Sequence, residues 1–201
     1  LPNMIKVHGR KYKKEETTHV TVHSYSTCCH SYIFCDDSKI DKASQQLNKL
    51  HQLTSVTIRS PGLSNISSLR SLVHLKSLEL GSNIVDISPL RNFTNLVTLA
   101  LPMNDLVNIE PLRDMVRLRK LSLYRNNIVN IEPLHKLTRL EDLDLHDNPI
   151  TNAQPLHDMI HLHRFGFGKG YGEPDSKIGP VTNYSSGEKP GVRTEREIPG
   201  V

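Results

Sequence analysis

The chain has 201 residues, of which 36% are hydrophobic and 23% are charged. This length suits one domain with a sizeable core, which excludes a miniprotein held together by disulfides. Lys and Arg number 25 against 21 Asp and Glu, and the two signs are interspersed, which argues against the clustered basic surface of a nucleic-acid-binding protein. No stretch approaches the roughly 18 consecutive apolar residues of a membrane span. Aromatic residues make up only 5% of the chain, so leucine must fill the core.

Residues 1–35 form an N-terminal segment without a clear repeat. The alternation over residues 19–23 predicts a strand, and residues 32–34 are a second candidate. A basic run lies near the start of the chain, and Glu15 and Glu16 follow it directly. Its members are Lys6, Arg10, Lys11, Lys13 and Lys14. We expect this run to be a solvated arm, since no aromatic residues interleave with it.

Residues 36–52 predict a helix that caps the N-terminal end of the following repeats. Asp37 or Ser38 can serve as its N-cap, and the apolar positions that follow have helical spacing. Repeat proteins need terminal units with a polar outer face, because the first repeat otherwise exposes its apolar edge.

Residues 53–167 contain a repeat of 21 or 22 residues that determines the predicted fold. Each unit begins Leu-x-x-Leu-x-Leu-x-x-Asn and continues Ile-x-x-Ile-x-Pro-Leu-x-x-Leu. A unit of this size cannot bury its own apolar side, so successive units must stack with their strands in parallel. We therefore predict an α/β repeat solenoid with a parallel concave sheet, and with short 3₁₀ or α segments and turns on the convex side. The units begin at Leu53, Leu75, Leu96, Leu118, Leu140 and Leu162.

Two polar or rigid positions recur in the units and have structural explanations. The repeated Asn is expected to form a column that satisfies backbone groups where the chain leaves each strand; it comprises Asn83, Asn104, Asn126 and Asn148. The repeated Pro is expected to begin each convex segment, since its φ is already fixed; it comprises Pro89, Pro111, Pro133 and Pro155. The unit that begins at Leu75 is one residue short after its Asn, so its turn must be tighter.

Residues 168–201 are rich in Gly, Pro, Ser and mixed charge and have no periodic apolar face. Such a segment cannot bury enough apolar surface to offset the entropy cost of ordering, so we expect a disordered tail.

From Leu53 to Phe167 the units resemble leucine-rich repeats of the 22-residue type. Such repeats are found in bacterial internalins and in a eukaryotic regulatory subunit of protein phosphatase 1. Residues 86–90 and 109–112 are similar to the internalin version, whereas residues 131–132 also suit the phosphatase-subunit version. The resemblance implies a right-handed solenoid that binds another protein through its concave sheet and catalyses no reaction.

The candidate partner-binding residues follow from the strand geometry. The leucines of each unit face the core, so the third, fifth, seventh and eighth residues face the concave side or its rim. Charged and aromatic residues gather there in the later units, namely Met103, Lys120, Tyr124, Arg125, Asp142, Asp144, His146, Asp147 and Arg164. Tyr and Arg dominate many interfaces, so Tyr124 and Arg125 are the expected anchors. The alternative is that these residues only pair across neighbouring strands, as Lys120 with Asp142 and Asp142 with Arg164.

All three cysteines lie before the repeats, at Cys28, Cys29 and Cys35, with His23 and His30 nearby. Zinc binding is conceivable, but the spacing lacks a Cys-x-x-Cys pair, and a disulfide would leave one thiol over. We expect free thiols, which favours an intracellular protein, whereas the internalin resemblance implies a secreted or cell-surface one; the sequence leaves the compartment open. The repeats could instead carry a metal- or redox-active N-terminal segment. No cofactor or metal is expected.

Catalysis is not expected either, because no nucleophile with a base and an orienting group emerges at a usable spacing. The leading hypothesis is a monomeric module that binds a partner protein, without nucleic acid or a membrane span. An intracellular regulator of a Ser/Thr phosphatase is a second reading.

Overall fold

A computed structural model describes residues 4–7, 10–13, 17–23, 45–50, 52–59, 63–81 and 83–168. It contains nine strands: β1 (Met4–Val7), β2 (Arg10–Lys13), β3 (His19–His23), β4 (Ser55–Arg59), β5 (Ser77–Gly81), β6 (Thr98–Ala100), β7 (Lys120–Ser122), β8 (Asp142–Asp144) and β9 (Arg164–Gly166). Strands β1 and β2 pair antiparallel, and β3 to β9 form one parallel sheet in sequence order. The predicted solenoid is confirmed.

Each strand of the large sheet pairs with the preceding one in register, so equivalent residues of successive units become neighbours. Leu99 pairs with Leu121, Leu121 with Leu143, and Leu143 with Phe165. All four are buried in one continuous apolar core, because alternate strand positions point inward in every unit. Leucines of successive units thereby bury the apolar side that no single unit could cover.

The sheet extends on the N-terminal side of the first predicted unit. Strand β3, at the segment expected from alternation, pairs parallel with β4 from His19 opposite Ser55 to His23 opposite Arg59. Of the predicted cap at residues 36–52, residues 45–47 are helical, and Leu47 and Leu50 are buried in the core. The candidate strand at 32–34, the three cysteines and the tail beyond Gly168 lie outside the described residues.

The convex side consists of five short 3₁₀ helices, η1 (Ser67–Ser71), η2 (Ser88–Leu90), η3 (Glu110–Leu112), η4 (Glu132–Leu134) and η5 (Gln154–Leu156). As expected, a proline lies in the first turn of η2 to η5. An Asn or Asp side chain precedes each of the five 3₁₀ helices and accepts a hydrogen bond from the backbone N–H two residues later. Asn108 Oδ1, for example, accepts from Glu110 N at 2.9 Å. No helix in the described ranges has the length and apolar character needed to cross a membrane.

Two carboxylates on this convex side have lowered pKa values. The pKa of Asp86 is lowered chiefly by the hydrogen bond from the Ser88 backbone N–H and further by the Ser88 hydroxyl. The pKa of Glu110 is lowered chiefly by its hydrogen bond from Arg113, whose own pKa is correspondingly raised. Both groups stabilise segments of the scaffold.

The asparagine column is present in the units that begin at Leu96, Leu118 and Leu140, and it does not include Asn83 of the unit that begins at Leu75. Asn126 is only 5% exposed; its Oδ1 accepts from Leu106 N at 3.1 Å, and its Nδ2 donates to Leu101 O and Leu123 O at 2.9 Å. Asn104 and Asn148 make the equivalent bonds to the preceding unit. The prediction for Asn83 is wrong, because its side chain is exposed. The missing residue in that turn places Ile84, rather than a second loop residue, directly after the asparagine.

Candidate functional site

The register of the late strands places the predicted charged residues side by side. At the first position of the last three strands, Lys120 lies opposite Asp142 and Asp142 opposite Arg164. At the third position Ser122, Asp144 and Gly166 follow one another in the same way. Neighbouring strands are about 4.8 Å apart, so three strands present this patch over about 10 Å. We call the outward-facing residues of β7 to β9 and the turns after β6 to β8 the late concave surface.

One of the two expected cross-strand ion pairs is present. Arg164 Nη1 lies 3.3 Å from Asp142 Oδ2, and the two side chains are 65% and 30% exposed. An ion pair this exposed contributes only about 0.2–1 kcal/mol, so a partner could replace it at low cost. Within the described part of the chain, Lys120 forms no ion pair with Asp142.

The turns after the strands form a second row of the site. Met103, Arg125 and Asp147 occupy the left-handed region with φ of 53°, 53° and 55°. Their backbone N–H groups each donate to the next unit, as from Met103 to Tyr124 O at 2.8 Å and from Arg125 to His146 O at 2.9 Å. Parallel pairing therefore continues past the strand ends. These bonds join the Tyr124 carbonyl to Met103 on one side and Arg125 to the His146 carbonyl on the other, and Tyr124 itself is half-buried.

His146 is held by a local hydrogen-bond pair and by a glycine. Asp144 Oδ1 accepts from the His146 backbone N–H at 3.1 Å and lies 2.9 Å from His146 Nδ1. A carboxylate only accepts hydrogen bonds, so this contact places a proton on Nδ1. A Cβ on Gly166 would lie 2.2 Å from His146 Cε1 and 2.3 Å from its Nδ1. The imidazole ring therefore lies over Gly166, in space that only glycine leaves open.

The early concave surface, formed by the outward-facing residues of β4 to β6, has different chemistry. Its strand positions carry Ser, Thr, Gly and Ala side chains apart from one ion pair. That pair joins Arg59 to Glu79, with Arg59 Nε donating to Glu79 Oε1 at 2.7 Å. Charged and aromatic side chains are concentrated in the late units, as the sequence predicts.

Sequence reasoning missed three features of this region. It did not predict the left-handed turn residues, the glycine beneath His146 or the Asx side chains before the 3₁₀ helices. The last was visible as Asn or Asp at a fixed offset before each convex segment, at Asn65, Asp86, Asn108, Asn130 and Asn152. The first two depend on side-chain and turn geometry that the spacing of residues does not encode.

The described residues also bear on metal binding. Among them no group of three or more His, Cys, Asp and Glu side chains is placed to hold a metal ion. The cysteine segment that motivated the zinc alternative lies outside them, so that alternative stays a prediction.

Comparisons with known proteins agree with this architecture. Residues 116–156 match the family model described as leucine-rich repeats in two copies. An internalin from Listeria monocytogenes superposes with a TM-score of 0.57 at 23% sequence identity, over 68% of this chain and 46% of the internalin. A leucine-rich repeat protein from Leptospira interrogans superposes with a TM-score of 0.59 at 19% identity, over 76% of this chain and 38% of that protein. No curated protein sequence matches the chain.

This chain spans less than half the length of either solved structure. At these identities the likeness is one of fold, and what the longer proteins do does not transfer with it. The spacing, the sheet and the family match agree on one identification: the chain contains leucine-rich repeats, folded into a solenoid like that of the internalins.

Proposed function

We propose that this protein is a non-catalytic interaction module that binds a partner protein through its late concave surface. Leucine-rich repeats generally serve as protein-binding modules, which supports the class of function. The observation that supports this surface as the binding site is the in-register pairing of β7 to β9, which brings side chains from distant parts of the sequence into one patch. Its members are Met103, Lys120, Tyr124, Arg125, Asp142, Asp144, His146, Asp147 and Arg164.

Tyr124 and Arg125 are the proposed anchors of this contact. Tyr124 is half-buried between neighbouring turns, so it can contribute apolar area at a small loss of side-chain freedom. The left-handed backbone at Arg125 is fixed by its hydrogen bond to His146 O, which directs the side chain from a rigid turn. Rigid anchors lose less entropy on binding than flexible ones, which favours these two positions.

The size and charge of the patch restrict the partner. Three strands span about 10 Å, which suits a loop or a helix of the partner rather than the face of a whole domain. At the first position of β7 to β9 the charge alternates from Lys120 to Asp142 to Arg164. The partner segment must therefore carry charges of both signs in a matching order. Asp142, Asp144 and Asp147 select for basic groups on the partner's side.

The test is affinity capture with the full chain from an extract of the organism that encodes it. The late variant combines Lys120→Ala, Tyr124→Ala and Arg125→Asn, since Asn tolerates the left-handed turn better than most residues. The matched early variant combines Ser55→Ala, Thr57→Ala and Arg59→Ala on β4. Thermal melting monitored by circular dichroism must show that both variants fold.

We expect the wild type and the early variant to enrich the same protein, and the late variant to lose it by about tenfold or more. A protein captured equally by the late variant, or lost only by the early one, would contradict the proposal. The phosphatase-regulator and metal-carrier readings stay predictions, because no observation on the described residues favours either.

A further inference from the structure

Charge is segregated between the two kinds of loop in this solenoid. The segments that lead from a 3₁₀ helix to the next strand contain seven Lys and Arg residues against three acidic ones. The basic ones are Lys76, Arg91, Arg113, Arg117, Arg119, Lys136 and Arg139, and the acidic ones are Asp114, Glu141 and Asp158. The segments that lead from a strand to the following 3₁₀ helix carry few charges, and most of these are of the opposite sign: Asp86, Asp105 and Asp147 against Arg125.

Because all strands of the sheet are parallel, each kind of loop lies along one edge of it. The edge at the amino ends of the strands is therefore basic, and the edge at their carboxyl ends is acidic. The recurring Leu, Asn and Pro positions of the repeat do not themselves require Lys or Arg in the amino-end segments. Four of the five segments at the amino ends carry a net positive charge, which indicates a surface with its own electrostatic character.

The basic charge is concentrated in two successive segments, residues 113–119 and 135–141, which together hold five Lys and Arg residues against two acidic ones. Backbone bonds from Glu141 N to Arg119 O at 2.8 Å and from His163 N to Glu141 O at 2.9 Å hold neighbouring residues in register there. A shallow depression at this edge is lined by Arg119, Arg139, Glu141 and His161. Arginine side chains from two successive segments, each leading from a 3₁₀ helix to a strand, therefore line one concavity.

The cations at this edge outnumber the carboxylates available to them. Arg119 Nη1 forms an ion pair with Glu141 Oε1 at 2.9 Å, which uses the one acidic side chain of the depression. Arg117 donates from Nη1 to the neutral amide of Asn95 at 3.0 Å. In the part of the chain that the structure describes, no carboxylate pairs with Arg117 or Arg139. These two guanidinium groups can donate hydrogen bonds to carboxylates from outside the molecule.

We propose that this amino-end edge, around Arg117, Arg119, Arg139 and His161, binds an acidic peptide segment of a partner protein. Guanidinium groups bind carboxylates through two parallel hydrogen bonds, which favours such a segment over diffuse counter-ions. Single-stranded nucleic acid would gain most from aromatic stacking, and the described residues of this edge offer no exposed aromatic ring. This contact is separate from the late concave surface and does not depend on it.

The probe is a fluorescein-labelled peptide of alternating Glu and Ser, titrated with the full chain by fluorescence anisotropy at physiological ionic strength. The test variant is Arg117→Ala with Arg139→Ala, which leaves the Arg119–Glu141 pair intact. The control is Arg59→Ala with Arg70→Ala, which removes the same charge from exposed arginines that lie outside this edge. A third variant, Arg117→Lys with Arg139→Lys, keeps the charge and confirms that the site tolerates substitution.

We expect the test variant to weaken peptide binding by about tenfold, the control by less than about twofold, and the Lys variant by no more than about threefold. Equal losses in the test and control variants would overturn the proposal, because they would show a response to net charge alone. Absence of salt-sensitive binding by the wild type would also overturn it. Tighter binding of a labelled single-stranded RNA of equal charge would assign the edge to nucleic acid instead.

Discussion

The early and late parts of this sheet share one core and differ in what they present on the concave side. Val56 and Ile58 of β4 and Leu121 of β7 are all buried in the same apolar cluster. Outside that core, β4 to β6 carry small side chains and one ion pair, whereas β7 to β9 carry Lys, Asp and Arg, and His146 lies in the turn after β8. The repeat therefore constrains the inward residues of every unit and leaves the outward residues to be set by function.

The same two regions differ in how their turns are satisfied. In the late units an asparagine accepts a hydrogen bond from the backbone of the preceding unit and donates both to a carbonyl of that unit and to its own turn, which joins neighbouring units by buried or partly buried hydrogen bonds. In the early unit that begins at Leu75, Asn83 is exposed. The late units are thus coupled by core packing and by buried polar groups together, which suits them to hold a binding surface rigidly.

The largest difference should come from removing these asparagines. Asn126→Ala would leave the buried N–H of Leu106 and the carbonyl of Leu101 without partners, so we expect a loss of about 3 kcal/mol in the free energy of unfolding. Asn83→Ala should cost less than about 0.5 kcal/mol, because that side chain is exposed. Urea denaturation of both variants measures this, and equal losses would break the distinction between the two regions.

A glycine in each region offers a second contrast. Gly166→Ala would drive a methyl group into the His146 ring, so we expect a loss of about 1–3 kcal/mol and a displaced imidazole. At Gly81 the added Cβ would meet only Pro102 O at 3.9 Å, an ordinary contact. Denaturant unfolding compares the two, and adding His146→Ala should recover most of the loss at Gly166. Failure of that rescue would show that the ring is not what the glycine accommodates.

Backbone conformation predicts an opposite preference at two arginines. Arg125 has φ of 53°, so Arg125→Val should be less stable than Arg125→Gly by about 1–2 kcal/mol. Arg59 lies in strand β4, where a β-branched residue is favoured, so there the Val variant should be the more stable one. Thermal melting of the four variants tests this, and the same order at both positions would refute the assigned turn geometry.

The smallest effect concerns pH and the Asx residues of the convex side. The lowered pKa of Asp86 means that its ionised form stabilises the fold above the ordinary value of 3.8, and this contribution is lost as pH falls through the folded pKa. Later units carry Asn here, so Asp86→Asn should change stability by less than about 0.5 kcal/mol at neutral pH. On acidification, the melting temperature of the Asp86→Asn variant should fall less than that of the wild type. Parallel loss in both proteins would contradict this role.

Much of the fold followed from spacing alone. The recurrence of leucine every 21 or 22 residues predicted the parallel solenoid, and the repeated Pro predicted the convex 3₁₀ helices. The shortened turn after Asn83 was also visible, but its consequence for the asparagine was not. An asparagine side chain bonds to the preceding unit only if the loop directs it inward. A turn that is one residue shorter changes the direction in which that side chain points.

The candidate site was predictable only in part. Alternation in the strands identified which residues face outward, because that property is set by the backbone period of two. The rotation of His146 over Gly166 and the left-handed turn at Arg125 arise from contacts between units. No local pattern encodes such contacts, and they decide how rigidly the proposed anchors are held.

The most direct test of the late concave surface is site-specific photo-crosslinking from equivalent positions in the two regions. A photoreactive phenylalanine analogue replaces Tyr124 in one protein and Arg59 in another, since both residues occupy the seventh position of their units. We predict that the analogue at position 124 crosslinks to one discrete protein in the extract and that the analogue at position 59 does not. Crosslinking from position 59 alone, equal crosslinking from both, or none from position 124 would contradict the account.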